Sequence, residues 1–316
     1  LKNQSLTKII GVVGPTASGK TQLALNLAEN LGGEIICTDS MQVYKGMDIG
    51  TAKPTAQEQQ QIPHHQLDLV FPDEHYSAGK YVRDTAPIIE DITQRGKIPI
   101  LVGGSGLYYR ALIYGMSPMP EISDKIQKQV NDWLEKEGLS YCWQRLQELD
   151  SSGASVLHPN DRCRILRALE VVLASGKPIS YFRKQQSFAS EHYQTHLVGY
   201  TRERKALYAR INERTLLMLK SGWIEETQKL LQYYSDAITP LHAIGYKQIL
   251  QFLSEQMSHE HMVEKIQQKT RNYAKRQLTW FRKDSEIHWY ATNELSALLS
   301  ETTRFIENKN SGKTHE

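Results

Sequence analysis

The stretch GVVGPTASGKTQLA, Gly11 to Ala24, limits the fold of this chain more than any other. Gly14 is followed after four residues by Gly19, Lys20 and Thr21, the spacing of a phosphate-binding loop. The run before it, KIIGVV (Lys8 to Val13), is β-branched, as a buried parallel strand requires. After it, Leu23, Leu27 and Leu31 fall on one face of a helix. Strand, glycine loop and helix therefore come in the order that aims backbone N–H groups and a helix N-terminus at an anion. Lys20 adds a positive charge, and the Thr21 hydroxyl suits Mg²⁺. A second SGKT, Ser311 to Thr314, has no upstream glycine, strand or helix and is set aside.

The alternation continues. EIICT (Glu34 to Thr38) and IPILV (Ile98 to Val102) read as further buried strands, with a helix over 78–95 bent or interrupted at Pro87. THLVGY (Thr195 to Tyr200) reads as another strand, followed by a helix over 203–220. The pattern predicts an α/β protein with a phosphate-loop parallel sheet and flanking helices. From 118 to 190 the pattern is mostly helical, with Gly176 and Pro178 closing a helix. The expected organisation is a core of 1–117 and 191–316 interrupted by a helical insertion of 118–190. The length of 316 residues accommodates about two domains, and the last nine residues read as disordered.

Composition excludes several classes. With 40% hydrophobic residues a sizeable core is expected. The three cysteines form no CxxC pair, which argues against a zinc site or disulfide framework and fits a reducing compartment. No apolar run is long enough to span a membrane, and LKNQSLTKII lacks a signal-peptide core, so a cytosolic enzyme is expected. A net charge of +3 does not imply nucleic acid, so any basic surface must come from clustering.

Asp39 directly follows the second strand, where open α/β sheets place their ligand crevice. It reads either as a turn residue or as a carboxylate facing an acceptor substrate. Ser105 follows the third strand within GGSG, a ligand approach or an ordinary turn. The strand EIICTD ends in Asp as in motor ATPases, but Ser-Met-Gln follows, so a transferase with a second substrate fits better than a motor or switch. Two clusters are basic: NDRCRILRALE, opening a helix near Asp161, and RNYAKRQLTWFRKD, in which Ala274, Leu278 and Phe281 oppose Lys275, Arg276, Thr279, Arg282 and Lys283. Each reads as a solvated face or as a surface for phosphates. Arg210 and Arg214, four apart, reach an anion or pair with nearby acids. His64 and His65 read as a structured turn or an RNA contact, not a metal site. A kinase with ATP in the loop and an RNA-binding ATPase fit the same pieces.

The runs GPTASGKT, DSMQVYKGMDIGTAKP, PHH, LVGGSGLY, HPNDRCRILRALEV, LYARINERTLLML, AIGYKQ and AKRQLTWFR, in this order, resemble the bacterial type of the tRNA dimethylallyltransferase (tRNA isopentenyltransferase) family. The resemblance implies transfer of a dimethylallyl group from dimethylallyl diphosphate to the exocyclic N6 amine of the adenosine 3′ of the anticodon in tRNA. It implies that Gly14, Pro15, Thr16, Ala17, Ser18, Gly19, Lys20 and Thr21 cradle the diphosphate of the prenyl donor in place of ATP, with Thr21 on Mg²⁺. It implies that Asp39 accepts the amine proton, that Ser105 lies beside the reacting centre and that Arg210 supports the leaving diphosphate. It implies tRNA contacts by Asp39, Ser40, Met41 and Gln42, by Arg164, Ile165, Leu166, Arg167 and Ala168, and by Gly245 and Lys247. The basic helix with Lys275, Arg276 and Arg282 would hold backbone phosphates around a flipped-out base. A monomeric state and no membrane association complete the expectation. His242 stands where the family pattern suggests a basic residue before AIGYK.

Overall fold

The computed structural model describes residues 6–116, 119–184 and 193–308. The Ser311–Thr314 copy of the loop motif, the tail behind it and the Ser117-Pro118 junction lie outside the described residues. The chain forms two compact units, Leu1–Ile113 with Glu191–Glu316, and Tyr114–Ser190.

In chain order the larger unit begins β1 (Thr7–Val13), α1 (Lys20–Leu31), β2 (Gly33–Thr38), α2 (Ala56–Gln61), β3 (His64–His65), α3 (Ala78–Gln94), β4 (Ile98–Gly103) and α4 (Gly106–Tyr114). The helical unit contributes α5 (Asp124–Leu149), α6 (Ser151–Ser155), α7 (Arg162–Ser175) and α8 (Ile179–Lys184). The larger unit resumes with β5 (Tyr193–Thr201), α9 (Arg204–Lys220), α10 (Trp223–Leu231), α11 (Tyr246–Leu253), α12 (His259–Phe281), β6 (Ile287–Ala291) and α13 (Leu295–Glu307).

The six strands form one sheet in the order β3-β2-β4-β1-β5-β6, with every pairing parallel. This is the phosphate-loop α/β fold that the strand and helix alternation predicts. The strands are apolar because helices cover them: Ile10, Val12, Ile35, Ile100 and Val198 pack with Leu23, Ala24 and Leu27 of α1. The sheet aligns the carboxyl ends of β1, β2 and β4, since Val13 and Thr38 both stand beside Gly103. The loops leaving these strands are thereby brought together.

Two sequence expectations change. α3 runs unbroken through Pro87. Pro87 faces solvent, where the carbonyl it leaves without a helical donor can be hydrated. His64-His65 is not a turn but a short edge strand, in register with Ile35 and Ile36 of β2.

The helical unit has its own core, in which Val130, Cys142, Leu146, Ile165, Ala168 and Leu169 are buried. Asp161 caps α7 by accepting the Arg164 N–H, and Gly176 ends the helix at φ 66°. Asp150 is buried and accepts from the N–H groups of Gly153 and Ile179 at 2.7 and 2.9 Å, which ties α6 to α8.

Candidate active site

The phosphate loop leaves β1 and turns into α1 through Gly19, whose φ of 100° no larger residue adopts without strain. α1 has no side-chain cap and no acid in its first turn. Its leading N–H groups and positive dipole end are therefore left to a ligand. The Pro15 carbonyl accepts from Lys20 Nζ at 3.3 Å and from the Ser18 N–H at 3.2 Å.

Three arginines from one segment bond consecutive residues of this loop. Arg214 donates to Thr16 Oγ1 at 3.2 Å, Arg210 to the Ala17 carbonyl at 3.2 Å and Arg202 to the Ser18 carbonyl at 2.9 Å. The spacing follows from α9: Arg210 and Arg214 are one turn apart and Arg202 precedes the helix.

Beside the loop lies a cavity of about 420 Å³. Its polar end is made by Thr16, Lys20, Thr21, Asp39 and Arg214. Its walls carry apolar side chains, Ile35, Cys37 and Val102 from the sheet, Ile211, Met218, Trp223 and Ile266 from the C-terminal helices and Ile244 from the turn before α11, interspersed with polar ones such as Gln42, Thr51, His64, Thr215, His242 and Thr270. Tyr273 and Gln277 of α12 complete the lining.

Charge is concentrated at the polar end. Burial, with Arg214 beside it, lowers the Lys20 ammonium to about 8, although Asp39 pulls the other way. Burial raises the Asp39 carboxyl, partly offset by the Met41 N–H and by Lys20. Burial likewise lowers the Arg214 guanidinium, which remains charged at any ordinary pH. A carboxylate held above its ordinary range, facing two cations, is suited to take a proton.

The turn after β2 is fixed by hydrogen bonds. Asp39 Oδ1 accepts from the Met41 N–H at 2.9 Å. Ser105 Oγ accepts from the Ser40 N–H at 2.9 Å and donates to Ser40 Oγ at 3.2 Å. Gln42 Nε2 donates to the carbonyls of Thr51 and Ala52, both at 3.1 Å. Glu226 of α10 accepts from three successive N–H groups, Asp48 at 2.8 Å, Ile49 at 2.7 Å and Gly50 at 3.1 Å, and from the Tyr246 hydroxyl at 2.6 Å. The loop from Gly50 to Pro54 thus forms a preset wall of the cavity.

Several expected site residues stand in places that alter their part. Ser105 does not line the cavity; its hydroxyl is committed to Ser40, so it positions the Asp39 turn. Arg210 is exposed and holds the loop from outside, whereas Arg214 enters the cavity. Ile165 and Ala168 are fully buried in the core of the helical unit, so their side chains cannot meet RNA. Leu166 packs partly against that core, and exposed Arg164 and Arg167 each bond a neighbouring acid, Asp161 at 2.6 Å and Glu170 at 3.2 Å. Gly245 is buried under Trp223 and caps α11, with its N–H donated to Gln248 at 2.9 Å, while Lys247 is exposed. Asp39, Ser40, Met41 and Gln42 all line the cavity, and Lys275, Arg276 and Arg282 are exposed on α12.

The sequence reading missed Arg202, Glu226 and Gln277, and left His64 as a turn or an RNA contact. His64 lines the cavity, with Nδ1 2.7 Å from the Ile62 carbonyl and Nε2 without a hydrogen-bond partner among the described residues. Burial lowers its imidazole, so it stands neutral, and an Nδ1–H donated to Ile62 leaves Nε2 as the acceptor.

A family model described as IPP transferase matches residues 42–284, and one described as Isopentenyl transferase matches residues 7–69. The chain is 47% identical over 286 residues to the tRNA dimethylallyltransferase of Geobacter sulfurreducens, covering 90% of this chain and 92% of that protein. It is 41% identical to the tRNA dimethylallyltransferase of Halothermothrix orenii, covering 93% and 90%. Among solved structures, the tRNA delta(2)-isopentenylpyrophosphate transferase of Staphylococcus epidermidis superposes with a TM-score of 0.70 at 41% identity, over 96% of this chain and all of that one. A eukaryotic dimethylallyltransferase solved acting on tRNA superposes with a TM-score of 0.81 at 30% identity, over 98% and 81%. A family model spanning most of the chain, joined to relatives alike over nine-tenths of both partners, shows that the chain belongs to the IPP transferase family.

Proposed function

We propose that this chain transfers a dimethylallyl group from dimethylallyl diphosphate to the exocyclic N6 amine of the adenosine 3′ of the anticodon in tRNA, releasing diphosphate. The observation that carries this reading is the cavity itself. One end is an anion cradle with a carboxylate beside it, and apolar side chains, among them Ile35, Cys37, Val102, Ile211, Met218, Trp223 and Ile266, line much of the remainder. An allylic diphosphate needs both halves, a charged cradle for its head and apolar surface for its tail.

The chemistry follows from the placement of each group. The leading N–H groups of α1, with Lys20 and Arg214, hold the diphosphate and take up the charge that grows on it as the C1–O bond breaks. The adenine amine attacks C1, and the N6–C1 bond forms as diphosphate departs. The nitrogen gives one proton to Asp39, which began ionised. The apolar walls exclude the water that would otherwise capture the allylic carbon.

Mg²⁺ fits the donor set. Thr21 and Asp39 offer oxygen alone, and no cluster of three or more His, Cys, Asp or Glu capable of holding a metal exists among the described residues. Such a set suits an ion that arrives with diphosphate oxygens and keeps several waters. Thr21 would hold it, and it would neutralise the leaving group.

The exposed cations Lys275, Arg276 and Arg282 of α12, with Lys247 and with Arg164 and Arg167 of the helical unit, are read as phosphate contacts to tRNA. Among the described residues no helix is long and apolar enough to cross a membrane, and the reading takes the enzyme as a cytoplasmic monomer. Incubation with labelled dimethylallyl diphosphate or labelled ATP, with and without unmodified tRNA, tests the proposal. Label from the prenyl donor should enter tRNA; label from ATP entering any acceptor would refute it.

A further inference from the structure

α12 presents two different faces. Lys275, Arg276, Thr279, Trp280 and Lys283 border a shallow outer cavity, whereas Tyr273 and Gln277, one turn apart, border the main one. Arg276 borders both. Gln277 is the polar residue on the buried face, only 6% exposed. A buried carboxamide must have both ends satisfied, and here both partners are backbone groups of the site. Oε1 accepts from the Thr16 N–H at 2.8 Å, and Nε2 donates to the Gly104 carbonyl at 3.0 Å. A Cβ at position 104 would stand 2.1 Å from Nε2, so the contact requires glycine there.

The peptide joining Pro15 to Thr16 is gripped at both ends. Its N–H goes to Gln277, and its carbonyl takes Lys20 Nζ and the Ser18 N–H. Turning that peptide would break all three bonds. The Gln277 amide therefore sets the carbonyl against which the Lys20 ammonium rests. The other end of the same amide holds Gly104, next to Ser105, whose hydroxyl fixes Ser40 beside Asp39. One side chain of the basic helix thus joins the loop for the diphosphate to the turn that carries the carboxylate.

We infer that Gln277 is a positioning residue for prenyl transfer, setting Lys20 and the Asp39 turn at their working separation. The inference rests on the prenyl-transfer reading. Its test compares Gln277→Met, which keeps the volume and loses both bonds, with Gly104→Ala, which displaces the same amide from the opposite side. Donor KM and the single-turnover rate are measured per folded molecule, with saturating tRNA. Each variant should raise donor KM and lower the rate by about tenfold, the scale of losing buried hydrogen bonds that place a charged group. Because both act through one contact, the double variant should be no worse than the poorer single one, to within about twofold. A residue that only packs α12 would lower the melting temperature and leave donor KM unchanged, and that result would overturn the inference. So would additive losses in the double variant. Gly104→Ala leaves the sequence of α12 unchanged and carries the same test if Gln277→Met does not fold. Calorimetric binding of inorganic diphosphate with Mg²⁺ gives a second readout that needs no transfer. Weaker diphosphate binding in the variants supports the role of Gln277 even if the parent transfers nothing from dimethylallyl diphosphate, which would refute the functional reading instead.

Discussion

Replacing Asp39 by Asn tests the proton acceptor with little disturbance of its surroundings. Asp39 Oδ1 accepts the Met41 N–H at 2.9 Å, and the Asn carbonyl can keep that bond. The other oxygen becomes an NH₂ group, which cannot take a proton from adenine N6. Loss of a positioned base costs about 10²–10⁴ in rate, equivalent to roughly 3–5 kcal/mol of barrier. A second consequence comes from charge. Asp39 supports the ammonium of Lys20, which burial already lowers to about 8. Without that carboxylate Lys20 falls further, so above neutral pH the variant would also bind donor poorly. The assay is therefore single-turnover transfer at pH 7 with saturating tRNA and donor, which isolates the chemical step. The parent rate should fall on acidification as Asp39 is protonated, at a pH above the ordinary carboxylate range because burial raises it. The residual rate of the variant should lack that acid limb. Transfer within about threefold of the parent, far short of the loss expected for a base, would make Asp39 a turn residue and refute the assignment.

Lys20 gives an alkaline limb: donor affinity should fall by up to about tenfold per pH unit above 8, as the ammonium the diphosphate needs is lost, and Lys20→Ala should abolish thermal protection by dimethylallyl diphosphate while leaving tRNA binding nearly unchanged. Replacing Lys275, Arg276 and Arg282 together should weaken tRNA binding and flatten its log–log salt dependence by roughly two units, measured by filter binding, because each phosphate contact releases counterions; an unchanged slope would make this face of α12 merely solvated. Glu34 is buried among Arg95, His65 and Lys97, with the Arg95 guanidinium foremost in holding its carboxyl at about 2 against an ordinary 4.5. The stability it contributes is therefore full above about pH 4.5 and lost as pH falls toward 2, so Glu34→Gln should cost about 2 kcal/mol at neutral pH, discounted because its cations are partly exposed, and should flatten the acid limb of a denaturation series.

The parts of the fold legible in the sequence are those specified by local pattern. β1, β2, β4 and β5 are β-branched runs bounded by turn residues, and they lie within one or two residues of the segments read from the sequence. The two edge strands were not read. β3 is only His64-His65, and it is a strand because β2 offers it a register, not because histidine favours one. β6, Ile287–Ala291, pairs with β5 across a separation of about ninety residues, which no local window contains. Pro87 misled in the opposite direction. Its cost depends on what surrounds the carbonyl four residues back, and exposure to solvent makes that cost small.

The candidate site divides in the same way. Lys20 and Thr21 could be found because the glycine-loop motif marks them at the start of α1, and Asp39 because it directly follows a strand, and all three line the cavity. Arg210 and Arg214 could not be ranked from sequence. They are one turn apart on the same helix, and only the way α9 docks decides that Arg214 enters the cavity while Arg210 holds the Ala17 carbonyl from outside. Ser105 stands out in the sequence for its place after β4 within GGSG, yet the partner of its hydroxyl is Ser40, sixty-five residues away. Gln277 left a faint signal: it sits in the apolar stripe of Ala274, Leu278 and Phe281, where a carboxamide must find partners or destabilise the helix's packing. Its partners are the Thr16 amide, 261 positions earlier, and the Gly104 carbonyl. The glycine at 104 carries the complementary signal, since only a missing Cβ leaves room for that amide. Neither residue alone suggests an active-site role. Read together they do, because the space one lacks is filled by the polar group the other buries, and that group ends on the phosphate loop.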